Sequence, residues 1–292
     1  MATVALEFVP PSVGGGRERA REEAGRVREL LGQAGLADHV NTVLIPGMIA
    51  EESDRPVPLE EKMDPLELRL ATREELPLEC IVTQVTAFSS AEALGERLAA
   101  LRRAGIERVV FVGVPRTLAD GEGPGVAPTL ALDRFRREVP HRGVILIPTR
   151  EAEKPRFEAK VRAGANFALT QLLCSDHMTR LVPTLELPGP RPELLLSFGY
   201  VPKAESRVGL IRWLIRDETA QAKREMAWVA EVAEKPFADK KQALVDVYAR
   251  VTDGLRERGF PLGVHFECPY GFNPYAFEVF RAMLEHWTPG EA

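Results

Sequence analysis

Along this chain, near-continuous apolar runs alternate with stretches in which apolar residues return every third or fourth position. The first pattern is that of strands buried on both faces, and the second that of amphipathic helices. Strands are predicted at residues 4–9, 39–44, 80–85, 109–114, 144–147, 167–173, 194–200 and 263–266. Ala20, Ala24, Val27, Leu30, Leu31 and Ala34 mark a helix ended by Gly35, and Ala91, Leu94, Leu98 and Leu101 mark another, capped by Ser89 or Ser90 and stopped by Gly105. Around residues 153–163, Phe157 and Val161, and Ala159 and Ala163, repeat at i,i+4 before Gly164 takes the C-terminal αL position. Further helices are expected near 130–138, at 206–215, over 219–258 with a break near Pro236, and at 274–286. Eight apolar strands alternating with helices, on connections long enough for right-handed crossovers, predict a closed (β/α)8 TIM barrel over an open doubly wound sheet. Residues 1–292 read as a single such domain, with an extra helical segment before the last strand.

Two polar residues interrupt these strands late in their length, where a barrel gathers its chemistry. Glu7 is in the first strand. A buried carboxylate is costly unless paired or functional, and burial raises its pKa, which suits an acid that must deliver a proton near neutrality. An ion pair with an arginine and a functional acid are both open on the sequence. Gln171, near the end of the sixth strand, either pairs inside the core or faces a ligand. Glu153, Arg156 and Lys160 share one face of the preceding helix, a charged stripe of the kind that solvent ordinarily covers. Residues 45–69, IPGMIAEESDRPVPLEEKMDPLELR, form a long, acidic, Pro-interrupted connection that reads as a lid (Met48 to Arg69) or as a surface insertion. Gly14-Gly15-Gly16 reads as a flexible link, with no GxGxxG or Walker pattern behind it.

Composition narrows the partners. Hydrophobic residues make up 45% of the chain and charged residues 28%, so a substantial core can be buried. The net charge of -5 gives no electrostatic argument for nucleic acid or an anionic membrane, and no apolar run approaches a membrane span. Cys80, Cys174 and Cys268 lie far apart without a CxxC, which suits a reducing cytoplasm and gives no metal signature. The N-terminus enters strand-like sequence without a signal peptide, and a cytoplasmic protein is expected. His265, between Val264 and Phe266, reads as a satisfied core histidine. His177 reads as a helix start with Asp176 as N-cap. Cys174 lacks a base partner, and Trp213 or Tyr200 near a strand mouth are candidates to stack on a planar ligand.

Three motifs carry a family resemblance. KVRAGANFALTQLL, from Lys160 to Leu173, resembles the V.AGA.F.(I)TQ segment of the methylenetetrahydrofolate reductases; ALEFVPP at the N-terminus resembles their FEFFPP start; and GVHF resembles their last strand. The resemblance implies an oxidoreductase of one-carbon metabolism that reduces 5,10-methylenetetrahydrofolate to 5-methyltetrahydrofolate. In that alignment Glu7 is the general acid that protonates the folate, opening its five-membered ring to an iminium ion that accepts hydride. Gln171 contacts substrate by hydrogen bonds, Lys160 lies near flavin phosphates, and Glu153 stands where relatives often carry Asp. Thr83 corresponds to a threonine of the HLTC segment, here IVTQV.

The departures fall on the flavin contacts. The ALRGD at the fourth strand becomes FVGVPRT, with Gly113 retained and Arg116 out of register, and YTLNR after the last strand becomes FECPYG, where Glu267 and Tyr270 are neighbours rather than equivalents. The resulting expectation is a small-molecule folate enzyme taking hydride directly from NADH, or NADPH, without bound FAD. An FAD enzyme using Arg116 and Arg156 as substitutes, and a non-catalytic folate-binding barrel, are the alternatives; a homo-oligomer is left open.

Overall fold

A computed structural model describes residues 2–48, 55–57, 60–113 and 125–290. Eight parallel strands close into a barrel in sequence order. They are β1 (Val4–Glu7), β2 (Thr42–Ile45), β3 (Glu79–Val85), β4 (Arg108–Val112), β5 (His141–Leu146), β6 (Phe167–Thr170), β7 (Glu193–Gly199) and β8 (Leu262–Glu267). The helices between and after them are α1 (Gly16–Gln33), α2 (Pro65–Thr72), α3 (Ala91–Arg103), α4 (Pro128–Arg134), α5 (Glu153–Arg162), α6 (Met178–Leu181), α7 (Glu205–Ile215), α8 (Ala220–Glu234), α9 (Phe237–Leu255) and α10 (Pro274–His286). The expected extra helical segment is present: α7, α8 and α9 all separate β7 from β8, and the α8–α9 break falls at Pro236.

The period of two along each strand sorts residues between two cores. In β8, Leu262, Val264 and Phe266 face the outer layer, where they pack under the helices. Gly263, His265 and Glu267 take the alternate positions and face inward. Ala5, Leu44, Ile81, Val110, Phe167, Leu169 and Leu195 fill the lumen. The barrel is therefore a packed core up to its C-terminal rim, where polar residues replace apolar ones.

Helix endings set the entry into the next strand. At the end of α5, Gly164 has φ +112 and Ala165 N–H donates to the Lys160 carbonyl at 3.1 Å. Gly35, with φ +68, ends α1 in the same way, and Leu36 N–H donates to Leu31 O at 2.8 Å. Each glycine adopts the left-handed conformation that lets the chain reverse toward the sheet.

Several sequence boundaries move. β6 stops at Thr170, so Gln171 is the first residue beyond the strand, and β1 stops at Glu7 rather than at Val9. The expected flexible triglycine is a 3-10 turn over Val13–Gly15 leading directly into α1. Asp176 does not cap a helix with its side chain; His177 N–H donates instead to Ser175 Oγ at 3.2 Å. Residues 49–54 and 58–59 of the long connection, and Arg116, lie outside the described residues.

Candidate active site

The rim of the barrel encloses a cavity of about 270 Å³ whose lining includes Glu7, Thr83, Gln171, His265 and Glu267. The expected acid Glu7 and substrate contact Gln171 are thus gathered with Thr83 and Glu267 from four different strands. A larger cleft of about 700 Å³ runs beside it and shares Met48 and Thr83. The buried carboxyls belong to the smaller cavity, so the acid chemistry lies there.

Glu7 ends β1 with its side chain turned inward. One carboxylate oxygen accepts the Cys268 backbone N–H at 2.8 Å. No arginine or lysine pairs with Glu7 among the described residues. Burial pushes its pKa up from 4.5 to about 7, and the Cys268 hydrogen bond offsets only part of that rise. Glu267 ends the adjacent strand β8. Its carboxyl is held well above the ordinary range by burial and then by the charge of Glu7. The rim therefore carries two carboxyls whose pKa values are both raised, that of Glu7 to about 7.

Gln171 resolves both readings at once. Its backbone N–H continues the β5–β6 ladder by donating to Leu146 O at 2.9 Å, and its side-chain Nε2 donates to the Leu214 carbonyl at the end of α7. A carbonyl can only accept, so the amide orientation is fixed and Oε1 is left as the group offered to a ligand. The excursion helix α7 thus orients the side chain. Thr83 Oγ1 accepts the Gly47 N–H at 2.7 Å, leaving its hydroxyl hydrogen to donate.

His265 is buried at 1% exposure. Burial lowers its pKa to about 3, so the ring is neutral. Its Nδ1 lies 3.0 Å from Ser197 Oγ and 4.0 Å from a Glu267 oxygen. The core-histidine reading holds for Nδ1 only, because Nε2 has no partner among the described residues. Sequence reasoning passed over Ser197, set in the apolar run of β7; its one signal was a hydroxyl at an inward position, visible only once the β7–β8 register is known.

Glu153 and Lys160 stand elsewhere. The stripe expected to be solvated turns two of its three charges into the protein, at the β5–α5 junction. Glu153, 2% exposed, accepts the Ile147 N–H at 3.1 Å. Lys160 Nζ donates to Ile145 O at 2.7 Å and lies 3.7 Å from Glu153. Burial lowers the Lys160 pKa, with Glu153 opposing that shift. Neither side chain lines the mouth cavity, and Arg156 is exposed on α5. The Lys160 ammonium, assigned by the resemblance to flavin phosphates, is engaged within the fold by Ile145 O and Glu153. Gly113 is the last residue described after β4, with space for a Cβ limited by Pro128 at 3.2 Å.

Of the remaining candidates, Cys174 is buried with its thiol raised well above the usual range, so no thiolate nucleophile forms. Tyr200 packs on Phe237 and under Lys240, away from the cavity. Trp213 is covered by Arg55 and Arg216 at the side of the mouth. Among the described residues there is no cluster of three or more metal-ligating side chains, and no helix is long and apolar enough to cross a membrane.

Among solved structures, EDTA monooxygenase from Chelativorans sp. BNC1 is similar at 15% identity and a TM-score of 0.50, over 99% of this chain and 94% of that one, a likeness of fold alone. The dihydropteroate synthase of Xanthomonas albilineans is similar at 14% identity with a TM-score of 0.48, over 100% of this chain and 95% of that one. No curated protein sequence matches the chain. The model of the mycobacterial methylenetetrahydrofolate reductase family matches residues 1–291, and the chain belongs to that family.

Proposed function

We propose that this chain reduces 5,10-methylenetetrahydrofolate to 5-methyltetrahydrofolate with hydride taken directly from NADH. The observation that carries the reading is Glu7, an inward carboxyl with no cation partner among the described residues, whose pKa near 7 keeps a usable proton at the barrel mouth. That proton goes to N10 of the folate, the bond from N10 to the bridging carbon breaks, and N5 and that carbon form an iminium ion. Hydride from the dihydronicotinamide adds to the carbon, leaving a methyl group on N5 and an oxidised nicotinamide. One proton and one hydride are consumed, and solvent returns the proton to Glu7. Gln171 and Thr83 orient the folate through hydrogen bonds, and the Glu267 carboxyl, its pKa raised by burial and by Glu7, lines the same cavity.

Direct transfer is favoured because Lys160 Nζ and Glu153 Oε1, on residues that the resemblance assigns to the flavin side, contact Ile145, Ile147 and one another within the fold. A donor and an acceptor held together in a water-poor cavity need no intermediate carrier. The test is the visible spectrum of the purified protein, followed by NADH oxidation with and without the folate. Colourless protein that oxidises NADH only with folate is the expected result. A yellow protein would replace direct transfer by a flavin route, and a colourless protein that binds folate without turnover would overturn the enzyme reading.

A further inference from the structure

Ser197 and His265 are register partners on neighbouring strands β7 and β8. Ser197 Oγ lies 2.7 Å from the Thr170 carbonyl oxygen and 3.0 Å from His265 Nδ1. Ser197 also faces the Glu267 carboxyl, but the Thr170 carbonyl at 2.7 Å has no hydrogen to give, so the single hydroxyl hydrogen lies on the Thr170 contact. At the second contact the hydroxyl therefore accepts, and the hydrogen between them sits on Nδ1. A neutral imidazole carrying Nδ1–H has a bare lone pair on Nε2. That Nε2 is buried, has no partner among the described residues, and belongs to a ring lining the mouth cavity. Buried polar atoms are nearly always paired in folded proteins, so an orphan acceptor at a ligand cavity points to a donor on the ligand.

We propose that His265 is a substrate-recognition residue whose Nε2 accepts a hydrogen bond from the amino or ring N–H edge of the pterin, and that Ser197 fixes the tautomer which makes it an acceptor. The assignment rests on the folate reading above. The pterin fits better than the nicotinamide carboxamide. Gln171 is locked with its Oε1 as the offered group, so the cavity presents two acceptors, and the pterin edge carries two adjacent donors where a carboxamide carries a donor beside an acceptor. Ser197 acts through His265 and is a positioning residue.

The test is 15N NMR of protein labelled at its five histidines, with 5-methyltetrahydrofolate or NAD⁺ added separately. The His265 Nε2 resonance is expected at the position of an unprotonated nitrogen, and to move toward a hydrogen-bonded one with the folate but not with NAD⁺. His265→Gln, whose amide reaches the Nε2 position, assigns the resonance and keeps the folate KM within about threefold. His265→Asn reaches only the Nδ1 position and is expected to raise the folate KM about tenfold, more than kcat falls and with the NADH KM unmoved. A protonated Nε2, or an Nε2 that responds to NAD⁺ instead, overturns the inference. A resonance that ignores folate while folate binds overturns it and leaves the reductase reading standing, whereas a protein that binds no folate loses both.

Discussion

Glu7 and Glu267 end neighbouring strands of one barrel rim, where burial raises the pKa of both and the charge of Glu7 adds to the rise at Glu267. The asymmetry has a local cause. Glu7 accepts the Cys268 backbone N–H at 2.8 Å, which favours its charged form, and Glu267 meets both burial and the charge that Glu7 develops. Two carboxyls in one dry site cannot both ionise cheaply, so their titrations are pushed apart. The rim thereby holds two carboxyls with raised affinity for a proton, Glu7 at about 7 and Glu267 shifted in the same direction.

Replacing Glu7 by Gln keeps the shape and the contact with Cys268 but removes the acid. The expected loss in kcat is roughly 10²–10⁴-fold, the usual contribution of a positioned general acid, with folate affinity little changed. In the wild-type protein kcat/KM should fall as pH rises through about 7, the folded pKa of Glu7, because the protonated form is the active one. That limb should vanish in Glu7→Gln. A variant with full kcat at saturating NADH and folate removes the proposed mechanism.

The same residues leave opposite marks on stability. Glu7 is raised from 4.5 to about 7, so the unfolded chain gives up this proton first, and stability falls as pH rises across that window, by about 3 kcal/mol at most. Glu267, also raised by burial, adds a fall of the same sign. His265 is lowered from 6.5 to about 3, so the unfolded chain takes up a proton first as pH drops, and stability is lost on the acid side of 6.5. Between pH 4.5 and 6.5 the two slopes oppose each other. Denaturant unfolding across pH should therefore show Glu7→Gln gaining stability relative to wild type between pH 5 and 8, and an unchanged difference over that range would contradict the burial of this carboxyl.

The barrel was legible in the sequence because strands buried on both faces and glycine-ended helices leave patterns that need no tertiary information. Glu7 and Gln171 stood out for the same reason, as polar interruptions of apolar runs. Glu153 and Lys160 were misplaced because a helical charge stripe says which residues share a face, not that the face meets the β5 backbone. His265 was half legible: its burial followed from Val264 and Phe266, whereas the orphan Nε2 depends on Ser197, Thr170 and a strand register that no local pattern records.

Gly47 lines the larger cleft and meets Thr83, which both cavities share. Its N–H donates to Thr83 Oγ1 at 2.7 Å, and a Cβ added there would overlap the Thr83 carbonyl oxygen, which is backbone and cannot swing aside. Gly47→Ala should therefore displace the end of β2 or break the Thr83 hydrogen bond. The expected cost is about 1–3 kcal/mol in stability, with a rise in folate KM that Gly32→Ala, in the open on α1, does not share. Equal melting temperatures for the two variants would show that the rim relaxes freely at this point.

Lys160 separates a structural role from a coenzyme role. Its ammonium donates to Ile145 O at 2.7 Å and lies 3.7 Å from the buried Glu153 carboxylate, so removing the charge leaves that carboxylate with the Ile147 N–H and the more distant Arg150 at 4.0 Å. Lys160→Met keeps most of the aliphatic volume and strands the partner charge. Breaking a buried pair from one side costs about 3 kcal/mol, more than an exposed pair would. A drop of that order in unfolding free energy is expected, with the NADH KM and the folate KM unchanged in the protein that remains folded. The double variant Lys160→Met with Glu153→Gln should recover part of the loss, because the stranded charge is gone. A rise in the NADH KM without loss of stability would place Lys160 on the coenzyme instead, and would mean that its contacts with Ile145 and Glu153 open when the site fills.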